Sequence, residues 1–186
     1  MEIITREIIR KKGDRHVLYK FSTFDFVLSR ATADISLMNR VVAHLREAFI
    51  YGMADHEKSP SGQNGLLVDA KLVESDLSTL AHKSEYYGKT NKQHETVERY
   101  FLENDPFTIA VEVPVWDHEF AWNIDIIRVV DGRVQVLDFK PDAHKEKKVT
   151  GQLFKYGQLL SKCTGISVTS MDFFYFDGNK VFQLIF

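Results

Sequence analysis

The amino-acid sequence predicts an α/β fold in which helices flank a mixed central β-sheet. Apolar residues recur at helical spacing between Ser36 and Tyr51, whereas from Phe107 onward the apolar period changes to two. A further helical segment runs from about Val149 to Lys162, and a last hairpin follows it. This order of helix, three strands, helix and strands is typical of an α/β domain with parallel and antiparallel neighbours in one sheet.

Each remaining element is predicted from a local pattern. Residues 3–21 predict two short strands around the turn Lys12-Gly13-Asp14, and residues 59–65 predict a loop because nearly all of them favour turns. Helices are predicted over residues 36–51, 69–87 and 91–103. Strands are predicted over residues 107–115, 123–130, 133–140, 167–176 and 181–186. We expect a single domain over residues 1–186, with a helical elaboration over about residues 1–87.

Composition and charge exclude several classes of protein. The single cysteine, Cys163, cannot build an internal disulfide framework or a metal site of several thiolates. Because no apolar run is long enough to cross a bilayer and no signal peptide is evident, we expect an intracellular protein without a membrane partner. The formal net charge of -2 argues against binding nucleic acid through bulk charge, although six lysines lie between Lys140 and Lys162.

A hairpin around Asp131-Gly132 brings two aspartates together. A two-residue loop of this kind fixes the register, so that Asp125 lies opposite Asp138, and alternation places Lys140 on the same face, opposite Asn123. Apolar neighbours bury the hairpin, and an uncompensated pair of buried carboxylates is costly. The pattern therefore predicts a divalent cation, with Mg²⁺ suited to carboxylate oxygens. A lysine–aspartate ion pair on an exposed sheet face is the alternative, and a bulge would break the register.

Three segments in this region resemble the RecB-like branch of the PD-(D/E)XK nucleases. They are Asn123-Ile-Asp-Ile-Ile127, Val136-Leu-Asp-Phe-Lys140 and, on the following helix, Gln152-Leu-Phe-Lys-Tyr156. The resemblance covers about residues 88–165. It implies a restriction-endonuclease-like fold with a nuclease core over about residues 88–186.

The resemblance also implies roles for individual residues. The implied catalytic residues are Lys140, Asp125, Asp138, Glu112, Gln152 and Tyr156. The implied ligands of Mg²⁺ or Mn²⁺ are Asp125, Asp138, Glu112 and His94. Lys140 would orient or deprotonate a water molecule or stabilise developing charge. Whether Glu98 contributes beside His94 stays open. Strand alternation turns Glu112 away from a continuous aliphatic face over residues 107–115.

Departures from the family pattern limit what the resemblance implies. Trp122 occupies a position where RecB-like members often have glycine. The cysteines of the iron–sulfur members are missing, so no iron–sulfur cluster is expected. The segment Gly88-Lys-Thr90 echoes a phosphate-binding loop, but Lys83 stands where its first glycine belongs, and we expect no ATP binding. A helicase motor or recombination partner would be a separate protein.

The expected reaction is hydrolysis of DNA phosphodiester bonds, on single strands or at ends, in DNA repair or recombination. Lysines from Lys145 to Lys155 would contact the phosphate backbone. Trp116 and Trp122 would either stack on bases or pack in the core. Two alternatives stay open: a non-catalytic nucleic-acid-binding or assembly module of the same fold, and a metal-dependent hydrolase of a small phosphate or nucleotide. Exonuclease or endonuclease action and a homodimer also stay open.

Overall fold

A computed structural model describes residues 3–9, 16–22, 37, 39–44, 47, 68–85, 93–119, 121–146 and 148–186. Several sequence predictions lie outside these residues. They are the turn Lys12-Gly13-Asp14, the loop over residues 59–65, the segment Gly88-Lys-Thr90 and the first residues of the helix predicted from Asn91. No helix of the described residues is long and apolar enough to cross a membrane.

Within the described residues, the strands form one eight-stranded mixed sheet, which confirms the α/β class. The strands are β1 (Ile3–Ile9), β2 (His16–Ser22), β3 (Ala70–Val73), β4 (Thr108–Trp116), β5 (Ala121–Val130), β6 (Arg133–Phe139), β7 (Met171–Phe176) and β8 (Val181–Leu184). Their spatial order is β1-β2-β4-β5-β6-β7-β8-β3. Neighbours are antiparallel except β6 and β7, whose parallel pairing requires a crossover connection.

Helices cover both faces of the sheet. They are α1 (Asp76–Ser84), α2 (Gln93–Asn104) and α3 (Val149–Thr164), together with helical residues at 37, 39–44 and 47 and short 3-10 helices at Ala143–Lys145 and Val168–Ser170. Helix α3 forms the crossover from β6 to β7 and ends at Gly165, whose φ of 69° is left-handed. The helix predicted over residues 36–51 is confirmed where it is described, with Val41 and Val42 buried.

The two faces of β6 belong to different hydrophobic clusters. Val134 and Val136 pack in the cluster that contains Leu153 of α3. Leu137 and Phe139 pack in the other cluster, with side chains of α1 and α2. A strand that is apolar on both faces is typical of the interior of such a sheet. The sheet therefore has a core on each side, and α2 and α3 approach the end of β6 from opposite faces.

One prediction for the first half of the chain is wrong. Residues 70–73 form strand β3, not the start of a helix from Asp69, because they pair antiparallel with β8 at the edge of the sheet. Helix α1 begins only at Asp76, where the Ser75 side chain accepts the N–H of Leu77. The two strands predicted within residues 3–21 are confirmed as the antiparallel pair β1–β2. Three of the eight strands thus come from residues 1–87.

The predicted register of the β5–β6 hairpin is confirmed. Pairing runs from Val130↔Arg133 next to the turn to Ile126↔Leu137. Asp131 and Gly132 have φ values of 49° and 74°, the left-handed pair that a tight hairpin turn of this type requires. The regular pairing ends at Ile126↔Leu137, one position before Asp125 and Asp138. Their geometry is therefore set by more than the hairpin.

A candidate metal centre at the end of the hairpin

The candidate site lies where β4 and β5 interrupt their pairing. Pairs form at Val111↔Ile126 and Val113↔Ile124, but Glu112 between them has a left-handed φ of 52°. A left-handed residue disturbs the alternation of a strand, and Val111 packs in one core whereas Val113 packs in the other. The predicted continuous aliphatic face over residues 107–115 is therefore wrong. The irregularity places Glu112 across from Asp125.

Asp125 and Asp138 meet with Lys140 just beyond this irregularity. Lys140 Nζ lies 2.6 Å from Asp138 Oδ2, and Asp125 Oδ2 accepts the backbone N–H of Phe139 at 3.0 Å. Lys140 follows the last residue of β6, and its N–H donates to the carbonyl oxygen of Phe176 in β7. The predicted pairing of Lys140 with Asn123 is wrong, because the β5–β6 pairing ends at Ile126↔Leu137 and the Lys140 N–H bonds to β7 instead. The convergence of the three charged groups is nevertheless observed.

The two aspartates have opposite protonation tendencies. Burial, reinforced by the nearby Asp125 carboxylate, raises the pKa of Asp138 to about 7, although Lys140 opposes the change. Burial would also raise the pKa of Asp125, but the hydrogen bond with His94 and the charge of Lys140 outweigh it and lower that pKa. Burial would lower the pKa of Lys140, but the two carboxylates raise it. The two carboxyl groups thus share one site, in which Asp138 keeps its proton to a higher pH than Asp125 does.

Helix α2 supplies two further ligand atoms beside Asp125. His94 and Glu98 are four residues apart and therefore share one helix face. One ligand atom each from His94, Glu98 and Asp125 lies within 4.8 Å of the others. His94 Nδ1 is 3.5 Å from Asp125 Oδ2, and the hydrogen bond to Asp125 raises the pKa of His94. The structure thus groups Glu98, which the sequence left open, with His94.

Buried oxygen atoms beside this group lack well-aligned donors. Among the described residues, Asp138 Oδ1 has no hydrogen-bond donor, and Oδ2 has the ion pair with Lys140 Nζ at 2.6 Å. Asn123 Oδ1 is also buried without a donor in that part of the chain. Buried polar atoms are nearly always satisfied in native proteins, so Asp138 Oδ1 and Asn123 Oδ1 favour a ligand at this point. A donor set of carboxylates and one imidazole, next to these two oxygens, fits a divalent cation such as Mn²⁺ or Mg²⁺.

The remaining predicted residues lie on the α3 side of the site. Asn123 Nδ2 donates to Glu112 Oε2 at 2.7 Å, an interaction that the sequence did not predict. Gln152 Nε2 donates to the Tyr156 hydroxyl at 2.5 Å. Burial, followed by the charges of Asp138, Asp125 and Glu112, raises the pKa of Tyr156. Gln152 and Tyr156 therefore sit beside the carboxylates, although Glu112 is not a member of the group formed by His94, Glu98 and Asp125.

The aromatic and basic residues predicted to contact a substrate differ in their exposure. Trp122 is 3% exposed and packs edge-on against Tyr156, so the core-packing alternative is the one observed. Trp116 is half-buried and its ring lies 5.4 Å from that of His44. The exposed lysines of the predicted basic segment include Lys145 and Lys148, which lie between the end of β6 and the start of α3.

Comparison with protein-family models, curated proteins and solved structures gives no match for this chain. The resemblance to PD-(D/E)XK nucleases and the restriction-endonuclease-like core therefore stay predictions.

Proposed function

We propose that this protein is a Mg²⁺- or Mn²⁺-dependent nuclease that hydrolyses DNA phosphodiester bonds. The observation that carries the proposal is the convergence of His94, Glu98 and Asp125 beside a buried carboxyl, Asp138, and a lysine, Lys140. A purely structural lysine–aspartate pair does not explain why an imidazole and two more carboxylates gather at the same point. Cation binding and phosphate chemistry explain the set together.

The cation would be held by His94, Glu98 and Asp125, with Asp138 as a neighbouring oxygen donor. When bound, it would neutralise charge on the scissile phosphate and acidify a water molecule. His94 Nδ1 lies 3.5 Å from Asp125 Oδ2, so these two side chains already face each other at the site. Because His94 is 45% exposed while Asp138 is buried, the site opens to the surface on the α2 side.

Lys140 and Asp138 divide the remaining chemistry between them. Two carboxylates raise the pKa of Lys140, so its ammonium stays charged and suits electrostatic stabilisation of a phosphate oxygen better than proton abstraction. The pKa of Asp138 is about 7 without a cation, and a bound cation would favour its ionised form, whose oxygen could accept a proton from an attacking water. Of the roles expected for Lys140, the raised pKa disfavours deprotonation of a water, whereas orientation of a water and stabilisation of charge both stay compatible with an ammonium.

A polyanionic substrate fits the surface beside the site. The exposed lysines Lys145 and Lys148 follow Lys140 closely in the chain and precede α3. Lysines contact backbone phosphates without reading sequence, and such binding weakens as salt concentration rises. We therefore expect cleavage without strong sequence preference and with a marked dependence of substrate binding on salt.

The proposal is tested with linear end-labelled and circular DNA, single- and double-stranded, incubated with the protein in Mg²⁺, Mn²⁺ or EDTA. Asp138→Asn is the inactive variant, and Asp131→Asn is the matched control, because it makes the same charge change at an exposed turn residue. We expect metal-dependent products from the wild type and Asp131→Asn, and loss of cleavage with retained DNA binding in Asp138→Asn. RNA of the same sequence tests the requirement for deoxyribose.

Each alternative function has its own outcome in this experiment. DNA binding that is unaffected by metal, without products in either metal, would identify a non-catalytic module. Hydrolysis of free nucleotides without cleavage of DNA would identify an enzyme of small phosphates. Cleavage of circles would show internal action, whereas sparing of circles would show action at ends. Wild-type cleavage rates in Asp138→Asn would refute the assignment of the site.

A further inference from the structure

The buried side chain of Asp177 joins two loops at one end of the sheet. Asp177 follows the last residue of β7 and is 6% exposed. Its Oδ1 accepts the N–H groups of Asn179 at 2.7 Å and Lys180 at 2.8 Å, within its own turn. Its Oδ2 accepts the N–H of Ala143 at 3.0 Å, from the loop that follows β6. One carboxylate therefore satisfies three backbone donors from two segments.

Both connections between these loops flank Lys140. The N–H of Lys140 donates to the carbonyl oxygen of Phe176 at 2.9 Å, and Phe176 immediately precedes Asp177. Three residues after Lys140, the N–H of Ala143 reaches the Asp177 carboxylate. The segment that carries Lys140 is thus held at its start and at its end by two consecutive residues. Regular pairing with β5 ends at Leu137, but pairing with β7 continues to Phe139↔Phe176. The sheet therefore holds the start of the segment, and the bond to Asp177 holds its end.

The bond from Asp177 to Ala143 is made over a long range, and the neighbouring Asp142 side chain makes no capping bond of its own. Asp142 occupies the position before the 3-10 helix Ala143–Lys145, yet its side chain makes no capping hydrogen bond. Its side chain is instead 61% exposed and pairs with Lys145. A cap from Asp142 would accept the N–H of the second or third residue of the 3-10 helix and would leave the Ala143 N–H open. The bond to Asp177 satisfies the Ala143 N–H and also links the loop to the end of β7.

We propose that Asp177 is a positioning residue for Lys140. It holds the segment 140–143 so that Lys140 Nζ stays against Asp138 Oδ2 at the site. The proposal rests on the proposed nuclease function for its effect on rate, but its effect on Lys140 itself is independent of that function. Displacement of a reacting group by about 1 Å can lower a rate about 100-fold. Loss of the Ala143 bond therefore lowers turnover without removing a cation ligand.

Two substitutions separate positioning from folding. Asp177→Asn keeps the shape but turns one acceptor oxygen into a donor that faces an N–H group. Asp177→Ser introduces a hydroxyl that can accept within the local turn, but it is too short to reach Ala143. Asp142→Asn is the matched control, since it makes the same charge change in the loop that Asp177 contacts, at an exposed residue whose side chain caps nothing.

Three measurements are made on each variant: single-turnover cleavage of DNA, Mn²⁺ affinity, and the rate at which a lysine-acylating reagent modifies Lys140, followed by mass spectrometry with Lys155 as internal reference. We expect both Asp177 variants to cleave about 10- to 100-fold more slowly. We expect the reagent to modify Lys140 faster in both variants, while the modification rate of Lys155 and the affinity for Mn²⁺ stay unchanged. Asp142→Asn should match the wild type in all three measurements.

The proposal is overturned if the reagent modifies Lys140 of the folded Asp177→Asn or Asp177→Ser protein at the wild-type rate. It is also overturned if faster modification of Lys140 is matched by that of Lys155, because the effect is then general loosening. Absence of cleavage by the wild type would refute the nuclease function alone. The labelling of Lys140 would still decide whether Asp177 positions it.

Discussion

Replacing Asp138 by Asn should stabilise the protein relative to the wild type as the pH rises. The folded state holds the pKa of Asp138 at about 7, above the value of 3.8 for a free aspartate. Between these values the unfolded chain has lost the proton that the folded protein still binds, so unfolding becomes more favourable with each rise in pH. Below about pH 3.8 the penalty is absent, and above about pH 7 it is fully present. Asparagine cannot ionise, so the variant escapes this penalty.

The magnitude follows from the two pKa values. A difference of one in pKa corresponds to about 1.4 kcal/mol, so the full penalty is about 4 kcal/mol. Between about pH 5 and about pH 8, the free energy of unfolding of the variant should increase by roughly 2–3 kcal/mol relative to that of the wild type. The lowered pKa of Asp125 acts below this window, and the raised pKa of His94 acts on both proteins and largely cancels.

The assay is urea unfolding of both proteins in EDTA at the two pH values. The variant loses the partner of Lys140, which shifts its stability at both, so the change in the difference with pH is the quantity to measure. Asp131→Asn, at the exposed hairpin turn, should show no such change. A stability difference between Asp138→Asn and the wild type that is the same at both pH values would refute the reasoning. Added Mg²⁺ should stabilise the wild type more than the variant.

Three further predictions concern single residues. His94→Ala should weaken Mn²⁺ binding by roughly tenfold or more in calorimetric titration, and the affinity of the wild type for Mn²⁺ should decrease as the pH is lowered, because protons then compete for His94. Unchanged affinity in the variant would show that His94 is not a ligand. Arg128→Met should lower the free energy of unfolding by about 3–5 kcal/mol, because it leaves the carboxylate of Asp105 buried without its cation. A decrease below about 1 kcal/mol, measured by urea unfolding, would contradict this expectation. Glu112→Gly should be more stable than Glu112→Ala by about 1 kcal/mol, because residue 112 has a φ of 52° and only the alanine variant keeps a Cβ there. Equal urea-unfolding midpoints of the two variants would argue against backbone strain at this position.

Local signals were sufficient for the elements that define the site. The Asp131-Gly132 turn fixes the β5–β6 register because both residues adopt left-handed φ, a property of the residues themselves. Helical spacing similarly predicted α2 and α3, and it placed Gln152 one turn from Tyr156, where a hydrogen bond forms. These features depend on neighbours within a few positions of the chain.

Features that depend on distant parts of the chain were beyond the sequence. Strand β3 was expected to be helical because its partner, β8, lies more than a hundred residues away. The left-handed φ of Glu112 has no local signal, since glutamate rarely adopts it, and it redirects the side chains around it. Asp177 lies in the turn between the predicted strands 167–176 and 181–186, and nothing in the local sequence indicates that its second oxygen reaches the loop after Lys140. In each case tertiary contacts override the local preference.

Two buried charged side chains, Arg128 and Asp138, differ in how many partners the fold gives them. The Arg128 side chain is 2% exposed, and it donates to both oxygens of Asp105, to Asp76 and to Gln135. That cluster satisfies its charges internally and needs nothing from outside. Asp138 is as deeply buried, yet among the described residues its Oδ1 has no donor, its Oδ2 has only the ion pair with Lys140, and burial raises its pKa. A fold that satisfies the buried charge of Arg128 so fully leaves Asp138 with a single partner, at the point where Glu112 has a left-handed φ and the His94–Glu98–Asp125 group converges. The divalent cation that we propose would be a further partner for Asp138 and would explain why these groups lie together.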